Sequence, residues 1–333
     1  MAFGIRWTRC ATKLNSTSNG TPEKLYGKCG KNKMKKILIT GASGFIGRQV
    51  TKEMIKRGYV VYAPSIMQTL SPQKNLIQSE LDLFDTDALS AYLREHKFEN
   101  LIHLAWYVGP KGHMSASNID WLSLSLKLLK LFAENGGKKF LGAGSVSEYD
   151  FSYGFLQENR TPLANASLYG QVKAALYNTG KIFCKQNEIA FKWARIFNLY
   201  GPHERLARLM PSVICSMLKS EVVKVSPCSK FLDYLHVEDT ASAIAQFFAS
   251  DVTDAVNICS GKPIQLRYMV EEMARLTNFK GKILWGALEE NFADPIIVGS
   301  NTRLTQEVGW TPAYSLQGGL IQTINWWKEH LYE

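Results

Sequence analysis

A chain of 333 residues, 46% hydrophobic and 20% charged, can bury a large core and is too apolar to remain disordered. Its longest apolar runs, such as Ala241–Ala249, fall far short of a membrane span and carry polar residues, so no membrane partner is expected. The net charge of +10 does not mark a nucleic-acid binder: residues 1–33 hold seven Lys or Arg against Glu23 alone, which leaves +4 on Met34–Glu333, and no nucleic-acid-binding motif occurs.

Residues 1–33 lack hydrophobic periodicity and the apolar core of a signal peptide, and they are expected to form a disordered basic extension without a catalytic role. The run from Met34, MKKILITGASG, is a common opening of a nucleotide-binding fold and favours Met34 as the start over a transit-peptide reading of the leader. Lys36–Thr40 has the β-branched apolar character of a buried parallel strand, and a glycine-rich turn leads into a helix over Phe45–Arg57. Val60–Ala63 reads as a strand, Ala88–His96 as a helix, Asn100–Ala105 as a strand and Trp121–Glu134 as a leucine-rich helix. Lys139–Ala143 (strand), Ser167–Asn187 (helix) and Phe191–Ile196 (strand) continue the alternation, which implies an α/β Rossmann-type doubly wound parallel sheet. After Tyr200-Gly201-Pro202 the pattern loosens into helix Leu209–Leu218, strand Tyr234–Val237, helix Thr240–Ala249 and the amphipathic Leu316–Leu331. The expected division is a dinucleotide-binding domain over 34–199, rejoined by 231–258, and a smaller α/β substrate lobe from 200–230 and 259–333.

Six cysteines form no CxxC pair and no zinc-like Cys/His cluster, so no metal is expected and the thiols read as reduced, in keeping with a cytoplasmic protein. Gly41-Ala-Ser43-Gly44-Phe45-Ile46-Gly47 follows a strand and opens a helix. The first glycine permits a tight turn, the second a close approach of backbone to a pyrophosphate, and the third helix–strand packing. The helix N-terminus adds free N–H groups and positive dipole. Far downstream, Tyr169-Gly-Gln-Val-Lys173 places a phenol and an ammonium on one helical face, where the ammonium should stabilise a phenolate. The phenol can then exchange a proton with a substrate oxygen.

Gly41–Gly47 with its GxxGxxG spacing, Ser145 in KFLGAGSVSEYD, Tyr169/Lys173 and the segments ARIFNLYGPHE and DYLHVEDTA together resemble the extended short-chain dehydrogenase/reductases, over about Lys35–Trp327. The resemblance implies an NAD(P)-dependent enzyme of the nucleotide-sugar epimerase, dehydratase and reductase group, with a nucleotide-sugar substrate and a homodimer built on the Trp121–Glu134 and Tyr169/Lys173 helices. It implies Ser145, Tyr169 and Lys173 as catalytic residues, and Tyr149 as the family's tyrosine further along the serine loop. A cofactor would be met by Gly41, Ser43, Gly44, Phe45, Ile46, Gly47, Ser65, Asp82, Leu83, Leu104, Ala105 and Ile196, together with Tyr169 and Lys173. The place near Pro64-Ser65 lacks the acidic residue that binds a ribose diol, which tilts the choice from NAD(H) towards NADP(H), although no arginine stands beside it.

Within the group, a 4,6-dehydratase carries an Asp-Glu pair where this chain has Val146 and Ser147, and a 3,5-epimerase/reductase carries a cysteine where Ser147 stands, although His203 does follow Tyr200-Gly201-Pro202. Reduction of a 4-keto (deoxy)sugar is favoured, with 4-epimerisation through a tightly held NAD as the alternative and a non-catalytic dinucleotide sensor as the alternative of another class. Two arginines common in 4-epimerases are replaced by Leu232 and Asn291, so Arg205 and Arg208, with Lys262 and Arg267 behind them, are the candidate diphosphate contacts. Trp106, Tyr107, Ser147, Asn198 and His203 complete the candidate substrate residues.

Overall fold

The structure, a computed structural model, describes residues 35–66, 69–107, 109, 112–290 and 293–331. The expectations for residues 1–33 and for Asn291 lie outside the described residues. Seven parallel strands form the first sheet, in the order Asp254–Ile258, Ala190–Ile196, Lys139–Ser145, Asn100–His103, Lys36–Thr40, Val60–Pro64 and Leu76–Ser79. The first three strands in sequence run outward one way from Lys36–Thr40 and the later ones the other way, so the order reverses between Lys36–Thr40 and Asn100–His103. That reversal opens a crevice at the carboxyl ends of the strands.

The central strands are apolar because helices cover both faces. Ile37, Ile39 and Ile102 pack with Val50, Met54, Ile244 and Phe248 on one side, and Leu38 and Leu101 pack with Leu128, Phe132 and Leu176 on the other. Leu76–Ser79 carries no such signal: it is a short, partly exposed edge strand that the sequence pattern does not show. Several helices begin one polar turn before their apolar stripe. Ser117–Glu134 starts ahead of Trp121, Thr86–His96 is capped by Asp85, and Val237–Ala249 opens with Glu238 and Asp239, which suit a helix N-terminus.

A second sheet runs Pro263–Gln265, Phe231–His236, Ile296–Gly299 and Phe155–Leu156, with Asn198–Tyr200 also paired to Phe231–His236. Helices Leu209–Leu218, Leu266–Thr277 and Leu316–Glu329 close a core of Met210, Ile214, Met269, Met273, Leu320 and Ile324 beside it. Strand Phe231–His236, expected within the return to the first sheet, pairs in the second, and so does Phe155–Leu156 from within 34–199. The return is made by helix Val237–Ala249 and strand Asp254–Ile258, whose apolar residues complete the first core. Among the described residues no helix is long and apolar enough to cross a membrane.

Candidate active site

At the crevice, Gly41 takes φ +69°, and a β-carbon there would stand 2.7 Å from the Ala105 backbone nitrogen. Gly44 is the N-cap of helix Phe45–Lys56, with no side chain over the helix end, and a β-carbon on Gly47 would collide with the Gly41 carbonyl. The N–H groups of Phe45 and Ile46 therefore begin a helix whose entrance is bare backbone. Ser43 lends its carbonyl to Arg48 Nη2 at 3.0 Å. Leu104 and Ala105 lie across the turn, donating their backbone N–H groups to the Thr40 carbonyl and hydroxyl respectively. The residues fit a dinucleotide pyrophosphate, because Gly44, where a β-carbon would meet nothing nearer than the Gly41 carbonyl at 3.3 Å, leaves the helix entrance open beside the Phe45 and Ile46 N–H groups.

Ser145 ends its strand opposite Ile196 and is almost fully buried. Tyr169 and Lys173 stand on helix Leu168–Gln186, capped by Ser167. A hydrogen bond with Ser145 draws the Tyr169 phenol down, but burial dominates and pushes it up to about 12. Burial likewise pulls Lys173 down to about 7, against the pull of Glu148. The Lys173 ammonium donates to the Ala143 carbonyl at 2.8 Å and lies 3.5 Å from the centroid of the Trp106 ring, while the Tyr169 ring is 5.8 Å away. The Lys173 ammonium is turned to the Trp106 face, and burial raises the Tyr169 phenol instead of lowering it. Trp106 and His113 flank the Tyr169 ring edge-on at 6.2 and 5.1 Å. Trp106 is itself held by a 2.9 Å bond to the buried Asn118.

Two features missed in the sequence fix this group. A β-carbon at Gly170 would run into the Ser147 carbonyl, so glycine lets the helix bearing Tyr169 lie directly on the serine loop. Glu148, fully buried, accepts from the Ser145 backbone N–H at 2.7 Å, from Trp193 Nε1 and from Arg195 Nε at 2.7 Å. Glu148 and Arg195 form an ion pair inside the protein that ties the serine loop to the neighbouring strand. Charged residues inside the apolar strand Ala190–Ile196 were the available signal. Tyr149 does not face the crevice group: it is fully buried, donating to Asn257 Oδ1 at 2.7 Å and accepting from Arg195.

The remaining candidates divide. Ser147 is buried and donates its N–H to Ser145 Oγ at 3.1 Å. Tyr107 follows Trp106 and is half-buried. Ser65, half-buried, pairs its N–H with the Ser79 carbonyl at the end of the second strand. Asp82 is exposed and serves a turn, accepting from the Phe84 N–H, while Leu83 packs against the core. Asn198 lies beside Tyr234 in paired strands. His203 accepts from Arg48 Nη1 at 3.1 Å and packs on Trp326; burial and the Arg48 charge lower it to about 4, so it is neutral. Arg205 and Arg208 are exposed on the turn that leads into Leu209–Leu218. Arg267 is held on the lobe surface by Glu271 and by stacking 4.3 Å from the Trp285 centroid. Leu232 packs in the second lobe, and Lys262 is exposed. Among the described residues no group of three His, Cys, Asp or Glu could hold a metal ion.

The sequence profile of the NAD dependent epimerase/dehydratase family matches residues 37–259. A dTDP-6-deoxy-L-talose 4-dehydrogenase (NAD(+)) from Aggregatibacter actinomycetemcomitans is 31% identical over 255 residues, covering 74% of this chain and 92% of its own. A CDP-abequose synthase from Salmonella muenchen is 22% identical, over 87% of this chain and 97% of its own. A UDP-N-acetylglucosamine 4-epimerase from Methanobrevibacter ruminantium M1, 20% identical, shares the fold with a TM-score of 0.80 over 89% of this chain and 99% of its own. The glycine cradle, the Ser145–Tyr169–Lys173 group beside it and the profile match agree, and the chain belongs to the NAD dependent epimerase/dehydratase family of extended short-chain dehydrogenase/reductase enzymes.

Proposed function

We propose that the protein reduces a nucleotide-linked 4-keto (deoxy)sugar with NAD(P)H. The observation that carries this reading is the Ser145–Tyr169–Lys173 group at the end of strand Lys139–Ser145, with Tyr169 within hydrogen-bond reach of Ser145. A buried, protonated phenol is a proton donor, which suits a carbonyl oxygen that gains negative charge. Ser145 would hold that oxygen, and Tyr169 would deliver its proton to it. Lys173, 5.8 Å from the Tyr169 ring, would turn from the Trp106 face to supply the positive charge that stabilises the phenolate left behind. Gly44 would leave room for the pyrophosphate, with Gly41 and Gly47 letting the turn close on Ala105 and on the helix, and with Phe45 and Ile46 N–H groups as donors. The nicotinamide, when bound, supplies the hydride.

Ser65, where a carboxylate would repel a 2′-phosphate, supports NADP(H) over NAD(H). A nucleotide-sugar substrate is supported by the relatives named for dTDP- and CDP-linked sugars. Helices Ser117–Glu134 and Leu168–Gln186, with Ile119 and Ile182 exposed, support a homodimer, to be measured by light scattering after size exclusion.

The test is to incubate the protein with NADPH and a panel of CDP-, GDP-, dTDP- and UDP-4-keto-6-deoxy sugars and follow nicotinamide absorbance. Oxidation with one member is expected, and none across the panel defeats the proposal. NAD released on denaturation, with sugar interconversion and no net cofactor consumption, would put 4-epimerisation in its place.

A further inference from the structure

Glu204 lies in the turn after Tyr200-Gly201-Pro202 and is 8% exposed. Its Oε1 is 3.7 Å from Arg208 Nε, whereas its Oε2 is buried without a hydrogen-bond partner. Burial pushes the carboxyl up to about 7, although Arg208 and Arg205 pull it down. The side chain lines a cavity of about 230 Å³ together with Leu199, Arg208, Met210 and Tyr234. Two of its lining residues connect it to residues around the candidate site. Tyr234 pairs in register with Asn198, and the charge of Arg208 acts on His113, whose ring lies against Tyr169.

An orphaned carboxyl oxygen in a protein interior is unfavourable until a donor completes it. Nothing in the turn supplies one, and the side chain borders an opening. Pockets that enclose a whole ligand run from about 300 Å³ upward, so this one admits one end of a larger molecule. A phosphate is the wrong occupant, because a carboxylate repels it. A group carrying O–H or N–H is the right one. We propose that Glu204 is a specificity-determining residue whose free carboxyl oxygen accepts a hydrogen bond from an O–H or N–H donor of the substrate seated in this cavity. The inference rests on the nucleotide-sugar reading above, and it adds to it which chemical feature of the substrate is selected. The donor sits either on the nucleoside or on the sugar.

The test measures, by calorimetry on the full chain loaded with oxidised cofactor, the affinity of CDP, GDP, UDP and dTDP and of their hydroxy- and amino-sugar conjugates. It compares wild type with Glu204→Leu and Glu204→Gln. For at least one ligand, Glu204→Leu should weaken binding about ten- to hundredfold, and Glu204→Gln, which keeps an acceptor oxygen, should recover part of the loss. Cofactor affinity should be unchanged, and the melting temperature should hold or rise because an orphaned charge is gone. An effect on the plain nucleoside diphosphates assigns the donor to the nucleoside, and one confined to the conjugates assigns it to the sugar. Affinities within about twofold of wild type in both variants overturn the proposal, as does a loss of stability that accompanies the loss of affinity. If wild type binds no member of the panel, the nucleotide-sugar reading falls and Glu204's role with it. If wild type binds and the variants bind equally, only the role of Glu204 falls.

Discussion

Ser145, Tyr169 and Lys173 stand at a strand end and on a capped helix, whereas Arg205 and Arg208 stand on a turn open to solvent. The first group is locked from behind: Gly170 seats the helix on the Ser147 carbonyl, and Glu148 binds the Ser145 N–H and the Arg195 guanidinium at once. The turn is pinned at His203 by Arg48 and Trp326, but its buried carboxylate has one oxygen without a partner. The difference separates a part built for one fixed proton transfer from a part free to vary with the ligand.

The comparison breaks first at the phenol. Tyr169→Phe should lower kcat/KM by about 10²–10⁴ with cofactor affinity intact, read by nicotinamide absorbance and by fluorescence titration. Retained turnover would remove the fixed wall from the chemistry altogether. Glu148→Gln leaves Arg195 buried without its counter-charge and should cost about 3–5 kcal/mol in urea unfolding. A change under about 1 kcal/mol would show that the ion pair does not hold the serine loop. Gly170→Ala should lower kcat by about 10², since the added methyl must lift Tyr169 away from Ser145. Equal kcat would mean that the helix has slack.

Lys173 sharpens the comparison through pH. The folded protein holds it near 7 against 10.5 in the unfolded chain, so the unfolded state binds more protons between those values. Its burial penalty is full below pH 7 and is relieved as pH rises towards 10.5. Thermal unfolding of the wild type should gain stability across that window relative to Lys173→Met, and parallel curves would show that Lys173 titrates normally. The smallest effect belongs to the open turn: Arg205→Ala should change stability by no more than about 0.5 kcal/mol.

Much of this could be read in the linear order of residues. The glycine turn, the YxxxK spacing and the serine at a strand end are local patterns whose geometry follows from helix and strand periods. Strand Leu76–Ser79 could not be read, because an edge strand needs neither full burial nor alternation. The role of Gly170 depends on a carbonyl 23 residues earlier and leaves no local trace, whereas the Glu148–Arg195 pair, joining positions 47 apart, shows locally only as charges inside an apolar strand. The resting place of the Lys173 ammonium is hidden for a similar reason. Spacing alone places Lys173 next to the phenol, but packing turns its ammonium to the face of Trp106.

The chain passes from the first sheet to the second with the fewest residues between Ile196 and Asn198 and again between Ile258 and Pro263, and the strands it enters there, Asn198–Tyr200 and Pro263–Gln265, both pair with Phe231–His236. Two short, adjoining ties act as the spine of a book. Any opening of the second lobe must leave these two short ties in place, so strand Phe231–His236 moves least and residues far from it move most.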